Sequence, residues 1–579
     1  LTKDREERYQ TAKDMLIDLR NLKRKLDVDA EIDRTIPPEF RGATATKSMS
    51  SGQSAQATGS GSAVQTGASS ASSAEYIVSG IKRHKLAIVA VTGLILIAVL
   101  AGVIGISSYL RGGSAEAAIK SVAVMPFVNE SRNADVEYLS DGMTETLITS
   151  LSHLPNLNVK ARSSVFRYKG RETDAKTVGK ELGVQAILNG RVLQRGDQLT
   201  LSLELIDTST ENVIWSEQYN RKQSDILSLQ SDIAREVSRK LRTRLSGADE
   251  QKLVKSSTAN PEAYQLYLRG RFDWNKRTVD GLRQAAVYYN RAIEKDPGYA
   301  LAYSGLAETY GLYSNYSVAS PMESMPKAKS AALKALEIDD SLAEPHTALG
   351  LYYCNYAWNQ SASEREFRRA IELNPNYATA YHWLGNAALV NLARFDEALA
   401  AGRRAEELDP LSAIISADQA YNLIYARRYD EAFAQCQRAL SLDPNFYYTH
   451  YLIGFVYQQK GMYKEAISPL RKSLEINEDP FAKALLIRAL VKSGERAEAI
   501  KLRDELRSES KKRYIPNYFL ALASIALGEN DEAIVLLEKD ITERGNYLAA
   551  IEIDPALDDL RDDPRFTTLV QKVVASKLN

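Results

Sequence analysis

The sequence predicts a multidomain protein with one transmembrane helix, a small α/β domain and an all-α superhelix of repeated helical hairpins. Three observations support this prediction. Residues 86–110 form an uncharged apolar run, residues 119–247 alternate between strand-like and helix-like patterns, and the C-terminal half carries a ladder of Asx-Pro pairs. The chain has 579 residues, which leaves room for all three parts.

The ladder sets the period of the C-terminal half. Its pairs are Asp296-Pro297, Asp339-Asp340, Asn374-Pro375, Asp409-Pro410, Asp443-Pro444 and Asn477-Glu478. From position 340 onward, the second members stand at 340, 375, 410, 444 and 478, so the spacings are 35, 35, 34 and 34 residues. This period is typical of stacked helical hairpins. We predict about eight units over 260–555 and a C-terminal cap over 556–579, because the open end of such an array needs covering.

Small residues within the units indicate where two helices approach closely. The unit 413–446 carries Ala420, Tyr429, Ala432, Ala439 and Pro444, and the next unit carries Gly454, Tyr463 and Ala466. In this pattern the units resemble tetratricopeptide repeats. Ser473 and Glu478 depart from the family's alanine and proline. The resemblance implies a superhelix that binds protein or peptide partners on its concave face.

The resemblance also implies which side chains line that face. We expect partner-binding roles for His382, Asn386, Tyr421, Tyr425, Tyr451, Phe455 and Gln458. We expect Tyr421, Tyr451 and Phe455 to stay partly exposed, whereas the alternative for each aromatic residue is packing between repeats. The lining lacks the lysine and arginine set that carboxylate-clamp repeats use, so a receptor for chaperone tails is not expected.

Residues 119–247 predict a compact α/β domain. An apolar strand near 119–128 precedes a helix at 136–153, and the later patterns give the order β-α-β-α-β-β-β-α with a hairpin turn at 195–197. The segments SVAVMPFVNES at 121–131 and YLSDGMTETLITSLSHLPNLNVKARSSVFRYKG at 138–170 resemble the TolB-type N-terminal (FlgO-like) module. No activity follows from this resemblance. Asp141-Gly142 is interpreted as part of its packing.

The run at 86–110 is long enough to cross a bilayer as one helix. Lys82, Arg83 and Lys85 precede it, and basic residues are sparser after it. The positive-inside rule therefore predicts residues 1–85 in the cytoplasm and 112–579 outside it, in the periplasm or another extracytoplasmic space, with the chain in a bacterial inner membrane. The spacing of Ala98 and Gly102 favours helix association, and hence a homodimer.

The residues before the span fall into two parts. Residues 27–85 include a stretch rich in Ser, Ala, Gly and Thr, which predicts a disordered juxtamembrane linker. Residues 1–26 resemble the C-terminal helix of bacterial eukaryotic-type Ser/Thr protein kinase domains, on Lys3, Asp4, Glu6, Arg8, Tyr9, Gln10, Ala12, Asp18 and Leu19. An unrelated amphipathic helix is the alternative. Because the chain begins with Leu1, we expect a longer parent protein, most simply a Ser/Thr kinase.

Composition and motifs argue against several functions. The 74 basic and 74 acidic residues balance, so no nucleic-acid partner is expected. Cys354 and Cys436 are too few for a zinc site and are expected to be packing thiols. We identify no kinase, Walker A or GxSxG motif, and therefore expect no catalytic, cofactor-binding or metal-binding residues in the chain as given.

Three functional hypotheses remain from the sequence. The first is a membrane-anchored sensory or scaffolding region of a signalling Ser/Thr kinase, which binds protein partners through its repeats. The second is an envelope assembly or export scaffold without kinase output. The third is the sensor region of a cyclase or a transcriptional regulator.

Overall fold

The structure, a computed structural model, describes residues 119–576 except 132, 134, 135, 155 and 242–257. The predictions for 1–26, 27–85 and 86–110 fall outside these residues. Among the residues that the structure describes, no helix is both long and apolar enough to cross a membrane.

The first described part is an α/β domain. Its strands are β1 Ser121–Val124, β2 Val128–Asn129, β3 Asn158–Val159, β4 Ala186–Arg195, β5 Gln198–Asp207 and β6 Val213–Lys222; its helices are α1 Glu137–Ser152, α2 Arg162–Val165, α3 Ala175–Leu182 and α4 Ile226–Lys240. This order agrees with the predicted alternation and adds the two-residue strand β2 and the single turn α2. Asp174 caps α3 by accepting a hydrogen bond from the Thr177 amide, and Gly183 ends it in a left-handed conformation.

The strands form one mixed sheet in the order β3-β1-β4-β5-β6, and β2 pairs with β4. The pairs of β1 with β3 and β4 are parallel, whereas β4, β5 and β6 are antiparallel neighbours. In β5 the leucines at 199, 201, 203 and 205 are buried and the intervening polar residues are not. This alternation is what a strand with one covered face requires.

The second part is built from helix pairs. Among the described residues, sixteen helices form eight pairs in chain order. They are α5 Pro261–Trp274 with α6 Val279–Lys295, α7 Ala300–Leu312 with α8 Pro321–Ile338, α9 Glu344–Asn355 with α10 Gln360–Leu373, α11 Ala378–Trp383 with α12 Phe395–Leu408, α13 Ala413–Tyr425 with α14 Tyr429–Leu442, α15 Tyr447–Gln459 with α16 Tyr463–Ile476, α17 Pro480–Ser493 with α18 Arg496–Glu509, and α19 Asn517–Leu527 with α20 Asn530–Thr542. A π-helical turn, Leu384–Leu389, extends α11.

A left-handed residue stands in the turn inside every pair. These residues are Arg277, Ser317, Trp358, Ala393, Arg427, Gly461, Gly494 and Gly528, with φ between +53° and +93°. A residue in this conformation commonly ends a helix because it turns the chain away from the helix axis. The five residues that are not glycine carry a steric cost at this position.

The ladder forms the turns between pairs. At four of its positions the Asx side chain accepts a hydrogen bond from the amide two residues later, at 2.9–3.1 Å: Asp296 from Gly298, Asp339 from Ser341, Asn374 from Asn376 and Asp443 from Asn445. Such Asx turns stop the preceding helix and start the next one. The structure therefore gives the ladder the turn-forming role that its period predicted.

The small residues lie where the helices meet. Ala420, Ala432 and Ala439 are fully buried. A Cβ at Gly454 would lie 2.5 Å from Cγ of Leu470 on the paired helix, so the position has no room for a side chain. This close contact confirms the packing role predicted for Gly454.

The chain after α20 returns across the repeats. It contains two 3₁₀ turns, Asn546–Ala550 and Pro555–Leu560, and then α21 Pro564–Ala575, which packs against α20. We name residues 545–560 the return segment. Trp358 in the third pair donates a hydrogen bond from Nε1 to the Gly545 carbonyl at 3.2 Å, and Arg427 in the fifth pair makes a bidentate ion pair with Asp558 at 2.7 and 2.9 Å.

Candidate partner-binding cavity

The α/β domain docks on the turns of the ladder. Asn376 donates hydrogen bonds from Nδ2 to the carbonyls of Ser152 and Leu157, both at 2.9 Å, and of Leu154 at 3.3 Å. Asn374 donates to Oγ of Ser152 at 2.8 Å. These contacts satisfy carbonyl groups at the end of α1 that would otherwise have no intrahelical partner.

The next ladder position makes a second polar contact with the domain. Asp409 accepts hydrogen bonds from the hydroxyls of Ser163 and Ser164, the latter at 2.5 Å, and Ser164 Oγ in turn accepts from the Leu411 amide at 2.9 Å. Burial raises the pKa of Asp409, although these hydroxyls act in the opposite direction. Lys160 donates to the carbonyl of Glu407 at 2.6 Å. These buried polar groups of the α/β domain and of the repeats satisfy one another, and this fixes one docking position.

A third contact joins α1 to the first repeat. Arg271 on α5 makes ion pairs with Glu145 at 2.5 Å and with Glu308 at 2.7 Å. Burial disfavours the charge of Glu145, but Arg271 and Arg162 outweigh this effect and lower its pKa. Burial raises the pKa of Glu308 in spite of Arg271. One guanidinium therefore links the α/β domain to the first two helix pairs.

These contacts enclose a cavity of about 1240 Å³. Its walls come from the first helices of the pairs, from α1 and residues 159–167 of the α/β domain, and from the return segment. The cavity is therefore formed jointly by the repeats and the domain docked on them. Its lining mixes aromatic, amide and charged side chains, including Arg271, Trp383, Asn391, Tyr448 and Asn546.

Five of the seven predicted partner-binding residues line this cavity: His382, Asn386, Tyr421, Tyr425 and Tyr451. His382 is buried and its Nε2 lies 2.6 Å from Oδ2 of Asp418. Asn386 is half-buried and lies on the π-helical turn of α11. The geometry places these residues together, and their role in binding stays a prediction.

The other two predicted residues lie in the core between repeats. Phe455 has 0% exposure and its ring lies 5.9 Å from that of Phe481 on the next pair, while Gln458 donates to the Leu485 carbonyl at 2.6 Å. The prediction that Phe455 would stay partly exposed is wrong, because its side of α15 faces α17. The same prediction is wrong for Tyr451, which is 9% exposed because its ring packs against those of Tyr448 and Phe481, whereas Tyr421 is half-buried.

The return segment covers part of the aromatic wall. Tyr547 stacks on Tyr518 with ring centroids 5.5 Å apart and contacts Phe519 at 4.6 Å. The Tyr518 hydroxyl donates to Asp554 at 2.5 Å. This contact does not follow from the sequence, because Tyr547 follows the last regular repeat and no periodic pattern assigns it an inward position.

Two arginines of the site were not among the predicted residues. Arg271 and Arg277 bring cationic groups to the cavity from the end of the first pair's first helix and its turn. Within the described part of the chain, no group of three or more His, Cys, Asp or Glu side chains could hold a metal ion.

Comparison with known families identifies two kinds of module. Residues 118–236 match the family described as HilA/YgeH-like transcriptional regulator, second domain. Residues 366–400 and 447–480 match tetratricopeptide repeat families.

Curated relatives resemble parts of the chain. The putative adenylate cyclase 3 of Rhizobium meliloti (strain 1021) is 33% identical over 248 residues, which cover 42% of this chain and 42% of that protein. The transcriptional regulator HilA of Salmonella typhimurium is 27% identical over 152 residues, which cover 26% of this chain and 27% of that protein. The matched part thus spans less than half the length of each relative.

Among solved structures, YrrB, a TPR protein with an unusual peptide-binding site, is 25% identical. The match covers 33% of this chain and 93% of that one, with a TM-score of 0.24. From the family matches and the observed helix pairs, the chain contains tetratricopeptide repeats joined to a small α/β domain.

Proposed function

We propose that this chain is a sensory or scaffolding region that binds a protein or peptide segment in the cavity and communicates the bound state to another domain. The observation that carries the proposal is the shared wall: one cavity of about 1240 Å³ is lined by both the repeats and the α/β domain. A ligand there contacts both parts at once. It can therefore favour one docking arrangement over another, which is the requirement for coupling between sites.

The cavity is suited to a segment of polypeptide. Sites for small molecules typically measure about 300–1,000 Å³, and this cavity exceeds that range. Its aromatic and amide side chains offer stacking surfaces and hydrogen-bond groups that suit a peptide backbone. No catalytic role is proposed for any residue of the chain as given.

Three alternatives exist for the output of this region. The resemblance of residues 1–26 to the end of a kinase domain supports a Ser/Thr kinase parent. The likeness to a putative adenylate cyclase and the match to a domain of HilA/YgeH-like regulators support the alternative, a sensor region for a cyclase or a transcriptional regulator. An envelope scaffold without signalling output is the third candidate.

Membrane attachment is part of the same proposal. The uncharged run at 86–110 would anchor the chain, and the basic residues before it would keep residues 1–85 in the cytoplasm. The cavity would then face the periplasm or another extracytoplasmic space, where a sensory region meets external or envelope partners. Association of two spans would give a homodimer.

To test this, the purified full chain in detergent micelles is used as the bait to select binding peptides from a phage-displayed library of random sequences. Selected peptides are then cross-linked to chains that carry a photoreactive residue at Asn386, in the cavity wall, or at Val535, an exposed position outside it. We expect adducts from position 386 and none from 535. Absence of enrichment over empty micelles, or equal adducts at both positions, contradicts the proposal.

A further inference from the structure

Five arginines line the cavity, and four of them are engaged by the protein. Arg162 and Arg271 form ion pairs with Glu145, Arg167 donates to the carbonyls of Leu411 and Leu442, and Arg513 contacts Glu509 and the Glu478 carbonyl. These four guanidinium groups therefore already have carboxylate or carbonyl partners within the protein. The fifth, Arg277, is different.

Arg277 has no ion-pair partner within the described residues, and its side chain contacts the aromatic ring of Trp274. Its guanidinium carbon lies 3.6 Å from the ring centroid. Stacking over a ring leaves the N–H groups at the edge of the guanidinium plane available to a further partner. Trp274 is buried, and the guanidinium carbon of Arg271 also lies 4.4 Å from the centroid of its ring. The cation is thus positioned by packing, not by a counter-ion.

The backbone supports this positioning. Arg277 adopts a φ of +53° in the turn between α5 and α6. A left-handed conformation is unfavourable for a residue with a Cβ, and three other pairs use glycine at the equivalent position. Arg277 is exposed and lines the cavity, so the N–H groups of its guanidinium are accessible to an incoming partner. An exposed guanidinium that is already held against an aromatic ring loses little conformational freedom when it binds an anionic partner.

We propose that Arg277 binds the carboxylate of a peptide segment that enters the cavity, an inference that rests on the function proposed above. A guanidinium binds a carboxylate through two parallel hydrogen bonds. A carboxylate fits better than a phosphate because Glu308 and Glu344 also line the cavity and would repel a dianion more strongly. This position lies on a turn, outside the predicted concave-face residues.

Arg283 provides a matched control. It lies in the same helix pair, its side chain is 57% exposed, and it does not line the cavity. Arg277→Gln and Arg283→Gln therefore remove the same charge from neighbouring parts of the chain. Arg277→Lys keeps the charge but removes the fork of donors, and it tests geometry separately from charge.

The test measures binding of pentapeptide libraries to the full chain in detergent micelles by fluorescence anisotropy. One library has a free C-terminal carboxylate, a second is amidated, and a third is amidated with one aspartate. We expect the wild type to bind the carboxylate-bearing libraries and to disfavour the neutral amidated one. Arg277→Gln should weaken binding at least tenfold, Arg277→Lys should weaken it less, and Arg283→Gln should leave it unchanged.

The outcomes separate the two proposals. If the wild type prefers the first library, Arg277 binds the C-terminal carboxylate of a peptide. If it prefers the third library, Arg277 binds an acidic side chain. If the amidated library binds equally well, or if both glutamine variants weaken binding equally, Arg277 is not the carboxylate site while peptide binding itself stands. If no library binds the wild type, peptide recognition in the cavity fails, and this inference fails with it.

Discussion

At the scale of single residues, Asp540 is an acidic group placed where water does not reach. It lies on α20 with 0% exposure. Burial raises its pKa to about 7, and the charge of Glu543 acts in the same direction. In the unfolded chain the pKa of an aspartate is about 3.9. Between about pH 4 and pH 7 the folded state therefore binds more protons, so stability falls as the pH rises through this window.

Asp540→Asn should remove this dependence, because asparagine keeps the shape and cannot ionise. We expect the free energy of unfolding of the variant to decline less steeply from pH 5 to pH 7, by up to about 1.4 kcal/mol per pH unit. Denaturant unfolding followed by helical circular dichroism measures this. Asp280→Asn, at a side chain 94% exposed, is the control and should follow the wild type. Parallel profiles for wild type and Asp540→Asn would contradict the raised pKa.

Gly454 illustrates a different constraint, the lack of room for a single methyl group. Gly454→Ala would place a Cβ 2.5 Å from Leu470 Cγ. We expect a loss of about 1–3 kcal/mol in unfolding free energy. Gly311 on α7 is the control, since a Cβ there meets only Leu351 at 3.8 Å. Gly311→Ala should stabilise the helix by about 0.5–1 kcal/mol. Equal changes of the same sign would show that packing does not decide the result.

At the scale of elements, the turn inside each helix pair has one backbone shape and several sequences. Ala393 and Gly528 occupy equivalent left-handed positions, with φ of +55° and +80°. Ala393→Gly should raise the melting temperature, because it relieves the strain of the left-handed conformation. The net gain is about 0.5–1 kcal/mol once the larger entropy of glycine in the unfolded chain is subtracted. Gly528→Ala should lower the free energy of unfolding by about 1 kcal/mol, and the melting temperature with it. A shift of both variants in one direction would contradict the shared geometry.

The elements also show how far sequence reasoning reaches. The ladder, the buried alanines and the β-α alternation follow from periodicity, because local spacing fixes them. The positions of Phe455 and Tyr547 do not, since each depends on a neighbouring helix or on a segment outside the repeat pattern. A tyrosine or phenylalanine on the first helix of a pair can face either the cavity or the next repeat. The packing of neighbouring pairs decides between these two positions, and the sequence pattern of one chain does not specify that packing.

At the scale of the whole described unit, two other parts of the chain, the return segment and the α/β domain, pack against the repeats. The return segment contacts turns inside the third and fifth pairs, through Trp358 and Arg427. The α/β domain contacts turns between pairs, through Asn376 and Asp409. These contacts join residues more than 100 positions apart, so no local pattern predicts them. Together they turn an open groove into a cavity with a defined wall.

The docking of the α/β domain gives the last prediction. Asn376 serves three carbonyls of the domain, whereas Asn445, at the same place in the Asx-Pro-Asn turn two repeats later, is exposed. Each backbone amide makes the same Asx-turn bond in both turns, at 3.1 and 3.0 Å. Asn376→Ala and Asn445→Ala therefore leave the turns alike and differ in the docking contact.

Asn376→Ala leaves the carbonyls of Ser152, Leu154 and Leu157 without this donor, which should cost about 1–3 kcal/mol. We expect faster amide hydrogen exchange at the end of α1 and in residues 159–167, while the repeats beyond the fifth pair stay as protected as in the wild type. Asn445→Ala should leave the exchange of the α/β domain unchanged. If the two variants behave alike, the ladder serves only as a series of turns, and the wall that the domain contributes to the cavity is held by other contacts. If Asn376→Ala alone loosens the domain and also weakens the binding of peptides selected by the wild type, the docked domain is part of the recognition surface.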